Sequence, residues 1–321
     1  MSDAGLAPGV AALGEVAAGA SGDAPGRRRR RLGRSGRDAA VGYLFVLPAM
    51  AVFAVFVFYP LLRTFWLGFF RVAPYPTIPS KFVGLSQYRS VLTSHDFWAS
   101  LGRTVEFVLL TVPIGIVLGV ALASLADARI RGIRFFRTLY SSTVATSVAV
   151  ASVIFFTLLN PTVGLFSYWL GIEGGNGILQ SNTWALPAVA TVTVWQNIGF
   201  TFILMSAALQ AIPEDLLEAA RIDGAGGRSR FWRVTLPLLS PTVFFAGVVG
   251  IIASFQAFGQ IDLLTQGGPD NHTNVLIYYL YTSFQNNDFG QASVLAVALF
   301  LILLAVTLVQ FRFVERRVFY G

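Results

Sequence analysis

The 321-residue sequence has no cysteine, a single lysine, two histidines and a small share of charged residues, 12%. The absence of cysteine excludes disulfides, thiolate metal sites and a cysteine nucleophile. His95 and His272 are too few for a histidine-built metal or catalytic cluster. Because soluble domains carry about 25% charged residues, half that share over this length excludes an ordinary cytosolic enzyme. With 55% hydrophobic residues, the composition indicates a polytopic membrane protein.

Sequence motifs for energy coupling and ion conduction are missing as well. The only lysine, Lys81, follows Ser80, so the chain cannot contain a P-loop, whose lysine follows a glycine. Proton-coupled carriers usually place ionisable groups at membrane depth. Here the one acid at the edge of an apolar run is Glu106, at the outer end of the second predicted helix. No potassium-type filter sequence is present. These absences disfavour a secondary carrier or a channel and indicate that any energy source is on another chain.

Six long apolar runs predict six membrane-spanning helices in an all-α fold. A span needs about 20 apolar residues to cross about 30 Å of hydrocarbon. The predicted helices lie near residues 41–62, 105–126, 138–159, 184–209, 238–260 and 290–311. Gly115 and Gly119 form a GxxxG pair in the second helix, which predicts a close contact with a neighbouring helix.

The distribution of arginine predicts the orientation in a bacterial cytoplasmic membrane. Eighteen arginines lie in the N-terminal segment, in the loops after the second and fourth helices and in the C-terminal tail, against four arginines and the lysine on the other side. By the positive-inside rule, both termini are therefore expected in the cytoplasm.

Residues 1–37 differ in composition from the rest of the chain. They are rich in alanine and glycine, show no apolar periodicity and end in a run of arginines. We expect a disordered basic cytoplasmic tail whose arginines fix the topology. A patch that binds anionic lipids or nucleic acid is the alternative interpretation. Residues 38–321 are expected to form a single six-helix transmembrane domain.

The cytoplasmic loop 212–237, between the fourth and fifth helices, predicts a compact helical knob. Pro213 suits a first helical position because it has no donor to lose there, and Glu214 and Asp215 complement the positive end of the helix dipole. Gly224 can take the left-handed conformation that ends such a helix. On these grounds alone, a hairpin that packs only against its own bundle is an equal alternative.

Several motifs resemble those of ABC importer permeases. The loop carries Glu-Ala-Ala at 218–220, Ile-Asp-Gly-Ala at 222–225 and a closing Leu-Pro at 236–237, the pattern of the EAA loop of that family. Three further segments are similar to the sugar-type members: Leu-Asn-Pro at 159–161, Gln-Gly-Gly-Pro at 266–269 and the tail 310–315. Asn160-Pro161 and Gly267-Gly268-Pro269 also predict turns. Phe-Val-Gly-Leu at 82–85 and the tail favour the A-type membrane subunit of glycerol-3-phosphate importers. The resemblance covers roughly residues 40–321.

This resemblance implies a type I importer permease fold and a set of partners. In the family, the EAA loop seats in a cleft of the ATP-binding subunit and transmits its closure to the membrane helices. The residues implicated here are Glu218, Ala219, Ala220, Asp223, Gly224 and Ala225. The chain itself would be neither catalytic nor cofactor-binding, since the partner ATPase dimer would bind ATP and Mg. A second permease subunit, an extracytoplasmic substrate-binding protein and the lipid bilayer complete the expected partners, with no nucleic acid.

Polar and aromatic side chains within the fourth and fifth helices are candidates for the translocation pathway. They are Trp195, Gln196, Asn197, Phe255, Gln256 and Phe258. A buried amide in hydrocarbon must find a partner, so the amides either touch substrate hydroxyls or bond neighbouring helices together. The aromatic rings either form a gate or platform for substrate or pack in the core.

The expected substrate is glycerol 3-phosphate or a glycerophosphodiester. An importer for a di- or oligosaccharide, of trehalose or maltose type, is the alternative, and a secondary carrier or channel is the alternative outside the family. A phosphate prefers a cation or a helix N-terminus, yet no predicted span has lysine or arginine at its centre. The charge is therefore expected to be met by helix ends, by the partner permease or by the binding protein.

Overall fold

The computed structural model describes residues 32–72, 80–127, 132–162, 164–166 and 177–315. Its α-helices are α1 (Leu32–Phe53), α2 (Tyr59–Leu67), α3 (Ser86–Leu92), α4 (His95–Asp127), α5 (Ile133–Ser142), α6 (Val148–Leu158), α7 (Ala185–Gln210), α8 (Glu214–Ile222), α9 (Gly227–Arg230), α10 (Leu236–Phe255), α11 (Gly259–Leu264), α12 (Leu276–Gln285) and α13 (Phe289–Val309). Two short strands, β1 (Phe70–Arg71) and β2 (Lys81–Phe82), pair antiparallel. Single 3₁₀ turns lie at Thr143–Ala145 and Ile178–Gln180, and π turns at Ala54–Phe58, Phe231–Thr235 and Gln310–Val314. The predicted all-α class is confirmed.

The chain divides into two compact units, residues 1–57 and 58–321. In the first, the described residues form α1 and the start of the π turn that follows it, and residues 41–57 are all exposed. Residues 32–37, which the sequence assigned to the tail, are the beginning of this helix. Residues 1–31 of the predicted tail lie outside the described residues. The features discussed below belong to the second unit.

In the described part of the chain, five helical stretches are long and apolar enough to cross a membrane. They are Val41–Leu67, His95–Asp127, Ala185–Gln210, Gly227–Phe255 and Phe289–Phe313. A sixth is present if the pair Ile133–Ala145 and Val148–Leu158 counts as one span, and this pair is bent by 107°. The described residues therefore contain five spans, or the predicted six when this bent pair is counted as one.

The third predicted helix, 138–159, is thus not a single straight helix, and the break has a local cause. Thr146 and Ser147 are extended, with ψ of 121° and 155°. The Ser147 hydroxyl accepts a hydrogen bond from the Val150 N–H at 3.2 Å. A serine in extended conformation that bonds the third N–H beyond it is an N-cap, so Ser147 starts α6 as a new helix.

Helices α4 and α7 form the centre of the second unit. Phe107 shares a core cluster with Val189, and Ala123 shares another with Met205, so the two helices run parallel. The end at which both helices finish is called the coupling-loop end below, since α7 leads there into the loop 212–237. The other end, where α4 begins, is called the opposite end.

The two glycines of the predicted GxxxG pair have different surroundings, a neighbouring helix at Gly119 and a cavity at Gly115. At Gly119 a side chain would overlap the methyl group of Thr201 on α7, so the expected close contact is confirmed there. At Gly115 nothing lies within 4 Å of a Cβ position. Gly115 instead faces a cavity.

Candidate functional site

The loop between α7 and α10 contains the predicted knob. Helix α8 occupies Glu214–Ile222, with Glu214 and Asp215 in its first turn, where carboxylates complement the helix dipole. Pro213 lies one position earlier than expected, at the N-cap rather than the first helical residue, with ψ of 130°. The helix therefore begins without a side-chain cap.

The C-terminus of α8 ends in a Schellman motif. Gly224 has φ of +76°, in the left-handed region that favours glycine. Its N–H donates to the Arg221 carbonyl at 3.0 Å, and the Ala225 N–H donates to the Ala220 carbonyl at 3.0 Å. These are the two bonds that define the motif. The predicted left-handed termination at Gly224 is confirmed.

The residues implicated in coupling lie on or beside this knob. Glu218, Ala219, Asp223 and Gly224 are exposed, and Ala220 and Ala225 are half-buried. The knob also exposes apolar side chains. Ile222 is 86% exposed, and Leu216 and Trp232 are exposed as well.

A cavity of about 380 Å³ lies between α4, α7, α10 and the first residues of α6 and α11. Four of the six predicted pathway residues line this central cavity: Gln196, Asn197, Gln256 and Phe258. The other two lie outside it. Trp195 packs on Phe155 of α6, with ring centroids 5.2 Å apart. Phe255 is 4% exposed and packs in a core cluster with residues of α13.

The described lining of the central cavity is mainly apolar, with hydroxyl and amide groups and no charged side chain. Asn197 donates to the Thr193 carbonyl at 2.9 Å, and the hydroxyls of Thr111 and Ser254 are 2.9 Å apart. All the lining residues are apolar, hydroxyl-bearing or amide-bearing. Such a surface recognises the hydroxyl groups of a ligand by neutral hydrogen bonds.

Gln260 is a residue of this site that the sequence did not reveal. It is 6% exposed, and its Nε2 donates to Gln196 Oε1 at 2.9 Å. Gln196 Nε2 in turn donates to the Thr146 carbonyl, at the α5–α6 break, at 3.4 Å. This relay fixes the amide of Gln196 in one orientation. The available signal was a second glutamine in the fifth apolar run, four residues after Gln256.

The fifth predicted helix, 238–260, is interrupted at the cavity. Helix α10 ends at Phe255, and α11 begins at Gly259. A Cβ at Gly259 would lie 2.8 Å from the Val148 side chain, so the first turns of α6 and α11 pack closely. Two chain breaks therefore meet at the cavity wall, one at Thr146 and Ser147 and the other at residues 256–258.

The two turn motifs lie together at the opposite end. Asn160, Pro161, Gly268 and Pro269 line a second cavity of about 600 Å³. Gly267 has φ of +80°, as a tight turn requires. Both expected turns are confirmed.

Comparisons with known proteins agree with this architecture. Residues 112–320 match the family described as "Binding-protein-dependent transport system inner membrane component". The sn-glycerol-3-phosphate transport system permease protein UgpA of Agrobacterium fabrum is 38% identical over 283 residues, which cover 87% of this chain and 96% of that protein. The UgpA protein of Yersinia enterocolitica is 39% identical over 281 residues, with 87% and 95% covered.

Two solved structures share the fold. One is a bacterial ABC transporter involved in the import of the acidic polysaccharide alginate, with a TM-score of 0.76, 21% identity and coverage of 89% of this chain and 99% of that chain. The other is a bacterial alginate ABC transporter in complex with an alginate pentasaccharide-bound periplasmic protein, with a TM-score of 0.77, 21% identity and coverage of 91% and 99%. The predicted importer permease fold is confirmed.

Proposed function

This chain belongs to the family of binding-protein-dependent transport system inner membrane components, and we propose that it is the permease subunit of an ATP-driven importer for glycerol 3-phosphate or glycerophosphodiesters. It is a multi-pass protein of the bacterial inner membrane and is not itself catalytic. The observation that supports this substrate is the sequence identity of 38–39% to two glycerol-3-phosphate permeases over 87% of the chain.

In the proposed assembly, a dimer of ATP-binding subunits docks on α8 and supplies the ATP and Mg sites. The exposed Glu218, Ala219 and Ile222 support this docking surface. A second permease subunit shares the pathway, and a substrate-binding protein docks at the opposite end. The arginines of the loop 212–237 support placing the coupling-loop end in the cytoplasm. The N-in/C-in orientation as a whole stays a prediction.

The geometry supports a direct mechanical connection between the knob and the central cavity. Only residues 211–213 separate α7 from α8, and residues 223–235 join α8 to α10 through α9 and the π turn. Helix α7 carries Gln196 and Asn197, and Gln256 directly follows α10. Closure of the ATPase dimer would displace α8 and, through these short connections, move the walls of the cavity. Alternating access follows if the two ends open in turn.

A sugar importer is the second candidate, and one specific observation favours it. The central cavity offers amides and hydroxyls but no cation. Sugars need only neutral hydrogen bonds, whereas a phosphate is best met by a charged donor. The neutral lining fits the hydroxyls of glycerol equally well, so this observation leaves the phosphate of the first candidate to be met elsewhere.

Ligand-stimulated ATP hydrolysis by the reconstituted complex tests the proposal. The chain is co-expressed with its partner subunits, placed in lipid and offered its binding protein loaded with each candidate. We expect stimulation by glycerol 3-phosphate or glycerophosphocholine, and none by trehalose or maltose. Stimulation by a sugar alone would keep the architecture and reject the substrate. If no ATPase subunit co-purifies and an ion gradient drives uptake by this chain alone, a secondary carrier replaces the proposal.

A further inference from the structure

A small polar pocket lies at the opposite end, away from the central cavity. Its volume is about 260 Å³, and its walls come from the start of α4, the turn 266–274 and helix α12. The lining includes Arg103, Ser100, Asn274, Tyr279 and Thr282. Among the described residues, none that lines the central cavity is ionisable, whereas this pocket is lined by Arg103.

Two groups in the pocket have hydrogen-bonding capacity that the described residues do not use. Arg103 is half-buried and forms no hydrogen bond or ion pair with any described residue. The Oδ1 atom of Asn274 is buried and has no hydrogen-bond partner in the described part of the chain. Buried polar atoms are nearly always paired, so an exception calls for an explanation. A guanidinium and an amide in the walls of one pocket provide charged donors for an anion and polar groups for a hydroxyl.

Arg103 is the one cation among the described residues that line the pocket. Burial raises the pKa of Tyr278 and of Tyr279, and nearby carboxylates raise both further, so these phenols stay neutral. Asp96 is the one carboxylate of the lining, and its side chain is 75% exposed, 3.8 Å from His95 Nδ1. Water and salt screen such an exposed charge far more than a half-buried one.

Two stacked aromatic rings link the walls of the pocket and the central cavity. Tyr278 lines the pocket, and Phe258 lines the central cavity. Their rings are stacked, with centroids 6.0 Å apart. The pocket and the central cavity are therefore neighbours across these two rings.

We propose that the pocket of Arg103 and Asn274 is an anion subsite, which holds the phosphate of the substrate on its way into the neutral central cavity. The inference rests on the proposed function and deepens it. Arg103 would bind the phosphate oxygens through its planar donors, the geometry that makes arginine effective for phosphate. The side-chain amide of Asn274, which lines the same pocket, would bond a hydroxyl of the glycerol moiety. The subsite supplies the positive charge that the described lining of the central cavity lacks.

Charge removal at Arg103 tests the subsite in the reconstituted complex. With binding protein loaded with glycerol 3-phosphate, we expect Arg103→Gln to lower uptake about ten-fold, as the loss of one charge-assisted hydrogen bond would. Arg103→Lys should restore part of it. Arg89→Gln is the matched control, because Arg89 is an exposed cation of α3 that does not line the pocket, and it should transport like the parent.

A chemical rescue separates charge from shape. The chain has no cysteine, so Arg103→Cys provides its only thiol. A cationic methanethiosulfonate reagent should restore uptake, and an anionic one should not. Equal rescue by both reagents would show that the position needs bulk rather than charge and would overturn the subsite.

The remaining outcomes distinguish this inference from the function on which it rests. If the parent complex responds to glycerol 3-phosphate and Arg103→Gln transports normally, the subsite alone is wrong. If Arg103→Gln only raises the concentration of loaded binding protein needed for half-maximal uptake, Arg103 contacts that protein and not the phosphate. If the parent complex responds only to a sugar, the proposed substrate and the phosphate subsite fail together.

Discussion

The left-handed residue at the end of α8 allows a sharp test of the coupling helix. Gly224 has φ of +76°, and nothing lies within 4 Å of a Cβ at this position. Gly224→Ala therefore adds no clash, and its effect is purely conformational. The left-handed conformation costs a non-glycine residue about 1–2 kcal/mol of conformational free energy. Gly224→Pro is more severe, because proline fixes φ near −65° and removes the N–H that donates to Arg221.

The size of the effect follows from the length of the helix. Helix α8 has nine residues, and isolated helices shorter than about 12 residues are marginal in water. Loss of the Schellman bonds should therefore unwind its last turn, which carries Ala219 and Ala220 and leads into Asp223. If docking requires the ordered turn, Gly224→Ala should weaken binding of the ATPase subunits by roughly 5- to 30-fold. Gly224→Pro should abolish it.

Co-purification of the ATPase subunits and ATP turnover, with membrane insertion measured in parallel, provide the assay. Gly224→Asn should retain most of the docking, since asparagine tolerates the left-handed region. Gly226→Ala is the matched control, because Gly226 also has free space around its Cβ position but an ordinary φ of −63°. Equal loss from the substitutions at Gly224 and Gly226, or normal docking by Gly224→Pro, would refute the role of the cap.

Three further predictions concern the knob, the amide relay and the helix seam. Glu218→Lys reverses an exposed charge on α8 and should weaken ATPase docking while membrane insertion stays normal, as co-purification would show. Gln260→Leu leaves the Oε1 of Gln196 unpaired, which costs about 1–3 kcal/mol, and should raise the apparent KM for uptake; an unchanged KM would contradict the relay. Gly119→Ala should lower the thermal unfolding temperature in detergent because it overlaps α7, whereas Gly115→Ala should not; similar unfolding temperatures would contradict the seam.

The sequence predicted the helical knob well because its determinants are local. Acidic residues in a first turn and a glycine that can adopt positive φ act within a few residues of chain. The bend before α6 also has a local cause, the Ser147 cap, but it lies inside an uncharged run. Hydropathy over 138–159 therefore indicated one continuous helix.

The residues that line the central cavity could be predicted only in part because the rotation of a helix about its axis depends on packing. Trp195 and Gln196 are neighbours in sequence, yet only Gln196 reaches the central cavity, while the indole packs on Phe155. Phe255 turns toward α13 for the same reason. Gln260 belongs to the site because α10 breaks before it, and no sequence pattern indicated that break.

The different surroundings of Gly115 and Gly119 on α4 have a consequence for how importers of this kind diversify. Gly119 packs against α7, while Gly115, one turn away on the same helix, faces open space in the cavity. A mutation that adds a side chain at Gly115 reshapes the ligand space without disturbing the seam. Descendants of such a chain can exchange one cargo for another while their scaffold stays constant.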